Sequence, residues 1–343
     1  MFFVAPDEVS NSQRKESPVI KFIKGNSIWG AFIGLVVLVT IITWVKTGQF
    51  FLSGSNILIL LDTQSIIGVL TVGVMFPILS RGIDLSTSAV VAVTSVVSAT
   101  LVSTDALHSP SQPWPALVAV IVCILIGCVV GIFNGGLVAY TKIHPFIATL
   151  GSTLILKGVA LIYTNAAPVA GLSQSFRFLG GGKLIPRVPN TVLWLVLVII
   201  VGGFLLTQTR FGNNVFAIGG NDVAAKVAGI NVEKNIIKVY MWCSVCAALG
   251  GVLYSASTGA GAPTAGITAA YELDAIAAAT VGGTSQTGGI AKISGVICGI
   301  LILAVINNAL QGLGVSPYIQ LIIKGLIIIV AVVLDMRKNA KKA

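Results

Sequence analysis

Six ionisable residues lie in or beside apolar runs: Asp62, Asp84, Lys157, Glu272, Asp274 and Lys324. Charge is costly in hydrocarbon, so each marks either a polar route or an internal ion pair. Asp84 and the Glu272/Asp274 pair fall at the starts of apolar segments, where capping a helix N-terminus is an equally good reason for a carboxylate. No segment carries several carboxylates in register, as a proton or sodium relay requires. With Ser86, Asn134, Thr284 and Ser285 added, the polar lining is mostly hydroxyl and amide. That chemistry suits a neutral polar solute.

Other reactive types read as packing. Cys243 and Cys246 spell C-x-x-C, but all five cysteines sit in apolar runs and no nearby His accompanies the pair. They are small apolar residues on helices. His108 and His144 are far apart in loops. Gly283 and Gly288 have the G-xxxx-G spacing of a phosphate-binding loop, yet Gly289 stands where Lys is required. The chain is therefore not expected to hold ATP, a metal or any other cofactor of its own.

The elements that position these residues follow from composition. Of 343 residues, 55% are hydrophobic and 9% charged, with a mean hydropathy of +0.97. A soluble domain carries about a quarter charged residues, so a water-soluble enzyme or binding module is excluded. The fold class is all-α and polytopic. Ten apolar segments are expected to cross about 30 Å of hydrocarbon, near 27–45, 65–80, 87–102, 114–140, 146–163, 191–206, 238–256, 272–284, 293–311 and 317–334. The third and eighth are short enough to be half-helices or to stay inside the bundle. The 47–64 stretch, with Ser53-Gly54-Ser55-Asn56 before an apolar run, is placed to add a short interfacial helix.

Residues 1–26 read as a cytoplasmic tail, 27–335 as the membrane domain and 336–343 as a basic tail. The excess of 21 Lys+Arg over 11 Asp+Glu is explained by orientation rather than by nucleic acid. With both ends inside, the cytoplasmic face collects Arg81, Lys142, Arg210, Lys226, Lys234 and Lys292 as well as both tails, while Lys46, Arg177, Lys183 and Arg187 stay outside.

Two loops are large. The external one spans about 164–190. In the internal one, 207–237, Asn221-Asp222 is placed to cap a short helix through Ala224, Ala225, Lys226 and Val227, and Gly229 to end it. A capped surface helix between two spans suggests that something docks on it. Glycine supplies packing stripes, at Gly127, Gly131 and Gly135 on the fourth span and at Gly295 and Gly299 on the ninth. Gly282-Gly283 and Gly288-Gly289 bracket a turn between spans. Asp84, Ala89, Val91, Thr94 and Ser95 match Asp274, Ala279, Val281, Thr284 and Ser285 at an offset of 190 positions, as an inverted repeat would.

Four stretches resemble the monosaccharide permeases of bacterial ABC importers. They are SRGIDLSTSAVVAVTS (80–95), GIFNGGLVAYTKIHPFIATLG (131–151), TRFGNNVFAIGGNDVAAKVAGINV (209–232) and YELDAIAAATVGGTSQTGGIA (271–291). The third, with the C-terminal VSPYIQLIIKGLIIIVAVVLD, looks most like the galactose/methyl-galactoside branch. The resemblance covers roughly 27–340. It implies an inner-membrane subunit that pairs with a second copy or a sister permease. A cytoplasmic ATPase on a separate polypeptide, carrying the ATP and Mg2+, would drive it, and a periplasmic or lipid-anchored sugar-binding protein would deliver the solute.

On this resemblance the ATPase-coupling loop falls on Gly219, Gly220, Asn221, Asp222, Ala224, Ala225, Lys226 and Gly229. The GIDLS stretch (Gly82–Ser86) and the ELDAIAAATVGG stretch (Glu272–Gly283) would line or shape the route. Thr87-Ser88 and Lys292 depart from the usual pattern and leave the solute open. The competing reading is an ion-coupled carrier or a channel for a small polar solute. It accounts for the repeat but not for the capped internal helix.

Overall fold

The computed structural model describes residues 27–48, 50–105 and 113–340, so the N-terminal tail, residues 341–343 and His108 lie outside the described residues. The described chain is helical throughout; no strand forms in it, only three isolated bridges. Thirteen helices follow in order. They are α1 (Ser27–Thr47), α2 (Gly54–Leu79), α3 (Thr87–Val102), α4 (Ala116–Thr141), α5 (Pro145–Tyr163), α6 (Gln174–Gly181), α7 (Asn190–Gln208), α8 (Arg210–Gly220), α9 (Asp222–Val227), α10 (Val232–Thr258), α11 (Tyr271–Val281), α12 (Ile293–Gly312) and α13 (Pro317–Ala340).

Seven of these (α1, α2, α4, α5, α7, α10 and α12) are long and apolar enough to cross a membrane, and α3 and α13 contribute shorter apolar helices. With the 11-residue α11 they occupy the ten expected positions. The chain is a polytopic membrane protein.

Four local differences have physical causes. The stretch read as adding a short interfacial helix is the first half of α2, which starts at Gly54 because the Ser53 hydroxyl accepts the Asn56 amide at 3.4 Å. Asp62 therefore lies inside a helix, where the Thr191 hydroxyl donates to it. The external loop holds α6, and the internal loop holds α8, opened by the Thr209 hydroxyl accepting the Gly212 amide at 3.2 Å. Last, α13 runs on to Ala340, through residues read as tail.

The core is built around α10, packed by α2, α3 and α4. Leu70, Met75, Phe76, Tyr240 and Leu253 are fully buried there. The glycine stripe of α4 is what lets α10 approach. A Cβ at Gly127 would lie 2.7 Å from the Ser244 carbonyl oxygen, and one at Gly135 would lie 2.6 Å from the Ile237 Cα. Gly295 and Gly299 pack in the same way against the backbone of α11, at Gly282 and Ala278. Outward faces of α1, α4, α5, α7 and α13 expose Leu, Ile and Val, as lipid-facing or subunit-facing helices do.

Arg81, Lys142 and Lys226 line one cavity at a single end of the bundle, the end that the basic residues assign to the cytoplasm. Lys183 and Arg187 line another, beside Asp62, on the opposite side.

Candidate functional site

The internal loop carries the best-defined local structure. Asn221 is extended (φ −160°, ψ 106°), and its side-chain oxygen accepts the Ala224 amide at 2.9 Å, which caps α9. Asp222 sits in the first turn and Lys226 in the last, each favourable to the helix dipole. Gly229, at φ +84°, closes the helix: its amide reaches the Lys226 carbonyl and the Ile230 amide reaches that of Ala225, both at 3.0 Å. Lys226 also meets Glu233 at 3.2 Å on the surface.

This fold of the loop buries Ala225 and leaves Val223 68% and Val227 86% exposed. Four residues apart, the two valines lie on one helical face. Beside them a cavity of about 600 Å3 is lined by Arg81, Lys142, Asp222, Lys226 and Glu233. Gly219 and Gly220 end α8 rather than joining α9, and at Gly219 a Cβ would lie 2.6 Å from the Gly289 amide nitrogen.

A second group is buried at the start of α3. Asp84 does not cap that helix; the N-cap position is Ser86, which makes no side-chain cap bond. Instead Asp84 Oδ1 accepts the Ser86 amide at 2.9 Å and the Ser86 hydroxyl at 2.6 Å. Asn134 of α4 donates to Ser86 Oγ at 2.8 Å and accepts from Ser152 of α5 at 2.5 Å. The result is a chain of hydrogen bonds through four buried residues that ties three elements together. Asp84 Oδ2 and the Tyr240 hydroxyl, both buried, have no hydrogen-bond partner among the described residues. Asn134→Leu strands the Ser152 hydroxyl and takes a donor from Ser86, which keeps its bond to Asp84. A stranded group costs about 1–3 kcal/mol, so thermal unfolding of the purified chain is expected well below wild type, whereas Ser152→Ala, at the end of the chain, has the smaller effect.

The third group surrounds α11. Residues 259–270 run inward along α3 without regular structure. The Ala262 amide donates to Ser95 Oγ at 3.2 Å, and a Cβ at Gly266 would lie 3.4 Å from a Val91 methyl. Only then does α11 begin, on a residue in the left-handed region (Ala270, φ 53°), so it is a half-helix starting at depth. Its direction opposes that of α3, which leads away from the Arg81 end while α11 leads toward it. Glu272 and Asp274 occupy its first turn, but neither side chain caps it. Glu272 lies beside Ser88. Asp274, 4% exposed, is paired at 2.7 Å with Lys324 of α13, 19% exposed.

The expected route residues thus fall in three places. Asp84, Ser86 and Asn134 come together in one network. Glu272 and Asp274 stand at the mid-depth start of α11. Thr284 and Ser285 lie past its far end, where Ser285 Oγ and Thr287 Oγ1 are 2.8 Å apart. Cys243 and Cys246 are buried free thiols inside α10, as packing residues. Lys157, by contrast with Lys324, is not paired with a carboxylate among the described residues.

Two contributors were not legible as site residues. Ser152 gives no signal beyond being a hydroxyl in an apolar run. Arg81 counts in sequence only as one more basic residue on the inner face.

Residues 56–332 match the family described as "Branched-chain amino acid transport system / permease component". Among curated proteins the chain is similar to the ribose import permease protein RbsC of Escherichia coli (strain K12), 38% identical over 313 residues, covering 90% of this chain and 94% of that one. It is equally similar to the galactose/methyl galactoside import permease protein MglC of the same strain, 38% identical over 326 residues with 91% and 95% covered. The Bacillus subtilis (strain 168) RbsC is 38% identical over 313 residues, covering 91% and 93%. No solved structure matches the chain significantly.

Proposed function

The chain belongs to the permease-component family of branched-chain amino acid transport systems, and from that membership we propose that it is the membrane subunit of an ATP-driven importer. Its cargo is a monosaccharide or a similar neutral polyol, as the names of the ribose and galactose relatives support. Equal identity to both branches leaves the choice of sugar open. On this reading the chain works in the bacterial inner membrane with a second copy or a sister permease. It takes solute from a periplasmic or lipid-anchored binding protein, and ATP and Mg2+ reside on a separate cytoplasmic ATPase rather than on this chain.

One observation carries the reading: a capped helix at the basic end of the bundle presents two exposed valines beside a charged cavity. Isolated apolar side chains are common on surfaces; here two share one face of a capped helix beside a charged cavity, a face a partner can cover. When the ATPase closes, α9 is pushed, and connected helices tilt between outward and inward access. The work comes from ATP, which agrees with an interior whose Asp274 is already neutralised by Lys324. Solute would be handled by polar groups of the Ser86–Asn134 network and of the mid-depth start of α11.

The test is Val227→Glu. A carboxylate buried unpaired in the docked face costs about 2 kcal/mol or more, so the ATPase is expected to stop co-purifying with the permease and uptake to fall about thirtyfold. The single-chain fold should be unaffected, because Val227 touches little. Uptake that persisted with no ATPase bound would instead identify a carrier or channel working alone.

A further inference from the structure

The glycine pair at 288–289 has no role in the function as stated, and neither has Arg81. In the structure they meet. Arg81 stands just past the end of α2 in the left-handed region (φ 65°), a conformation unfavourable for a residue with a Cβ. Its Nε donates to the Gly219 carbonyl at 2.7 Å and to the Thr287 carbonyl at 3.0 Å, and Nη2 donates to the Gly220 carbonyl. Gly219 and Gly220 are the last residues of α8, so the guanidinium satisfies helix-end carbonyls and opposes the negative end of the dipole.

The backbones around it touch directly. The Gly289 amide donates to the Leu79 carbonyl at 2.9 Å. A Cβ at Gly288 would collide with Arg81 Cγ and lie 2.5 Å from the Gly219 carbonyl oxygen. Three segments are thereby locked at one point: the end of α2, the approach to α9, and the loop that leaves α11. Three residues beyond Arg81 lies Asp84, and five beyond lies Ser86, the start of the buried hydrogen-bond chain.

We infer that Arg81 is a positioning residue that transmits movement of α9 to both mid-depth clusters at once, through the 80–86 turn to Asp84 and through the 282–292 loop to α11. The inference rests on the docking role given to α9 above. A planar fork is suited to it, since it holds carbonyls of two segments in one fixed geometry, whereas an ammonium is a single point of attachment.

The experiment measures ATP hydrolysed per solute imported, in proteoliposomes holding the permease, its ATPase and its binding protein. Wild type is read first, and failure of its ATPase to bind would overturn the docking reading itself. In Arg81→Ala the ATPase should remain bound and active while the ATP-to-solute ratio rises about tenfold or more. Arg81→Lys should fall between the two. A destabilised but coupled protein would lose uptake and hydrolysis together and leave the ratio unchanged. If Arg81→Ala does not yield monodisperse protein, Gly288→Ala, whose methyl displaces the Arg81 side chain, replaces it and should raise the ratio in the same way. A wild-type ratio in Arg81→Ala, or in Arg81→Lys and Gly288→Ala together, would overturn the inference.

Discussion

Lys324→Leu is expected to destabilise the folded chain by about 3–5 kcal/mol, and the double variant with Asp274→Leu to recover most of that loss. The single change strands a carboxylate that is 4% exposed. Removing both charges deletes the ion pair and the desolvation that opposes it, so apolar packing of similar volume takes over with little net change. The reverse single, Asp274→Leu, is expected to be the milder one. It strands an ammonium that is 19% exposed and carried on a flexible stem, which is free to move toward water. The order of thermal midpoints in nanodiscs should therefore be Lys324→Leu lowest, Asp274→Leu intermediate and the double nearest to wild type. A double variant no better than Lys324→Leu would show that the pair is not what holds α11 against α13.

Gly131→Ala is expected to destabilise strongly and Gly136→Ala to do nothing or to stabilise, although both lie on α4. At Gly131 a Cβ would lie 2.6 Å from the Tyr240 carbonyl oxygen and 2.8 Å from the Met241 nitrogen. Those neighbours are backbone and cannot turn aside. Overpacking costs about 1–3 kcal/mol, occasionally more, and here the whole of α10 must shift. The helix-propensity gain of Ala over Gly is about 1 kcal/mol, so the clash wins at Gly131. Nothing lies within 4 Å of a Cβ at Gly136, which leaves only the propensity gain. Circular dichroism melts of the two variants give the comparison directly. Equal melts would mean that the stripe does not set the α4–α10 approach.

The features read correctly from the residues are those fixed within one or two helical turns. Apolar runs placed the spans, the small residues at Gly127, Gly131 and Gly135 marked the close face of α4, and Asn221 with Gly229 bounded α9. Misreadings came where a partner far along the chain decides the outcome. The start of α2 reads as an interfacial helix at most, and its polar residues Asp62 and Gln64 find their partners far along the chain. Thr191 meets the first, and Asn307 of α12 donates to the second at 3.4 Å. Asp84 reads as a helix cap, whereas it accepts from Ser86, and the network that fixes Ser86 runs on to Asn134 of α4 and Ser152 of α5. Arg81 was invisible for a further reason. It is held by carbonyl oxygens, which every residue possesses, so no side-chain pattern announces the contact.

The half-helix α11 also sets the scale of the barrier. Its 11 residues rise about 16 Å, roughly half of a 30 Å hydrocarbon layer. On the proposed route, a solute beside Tyr271 and Glu272 would have passed the outer half along the irregular 259–270 stretch. Only the inner half remains to be opened, and two or three turns of helix are all that must swing aside. A plug this thin would open by a small displacement, which matches the short push that the proposed docking on α9 would deliver.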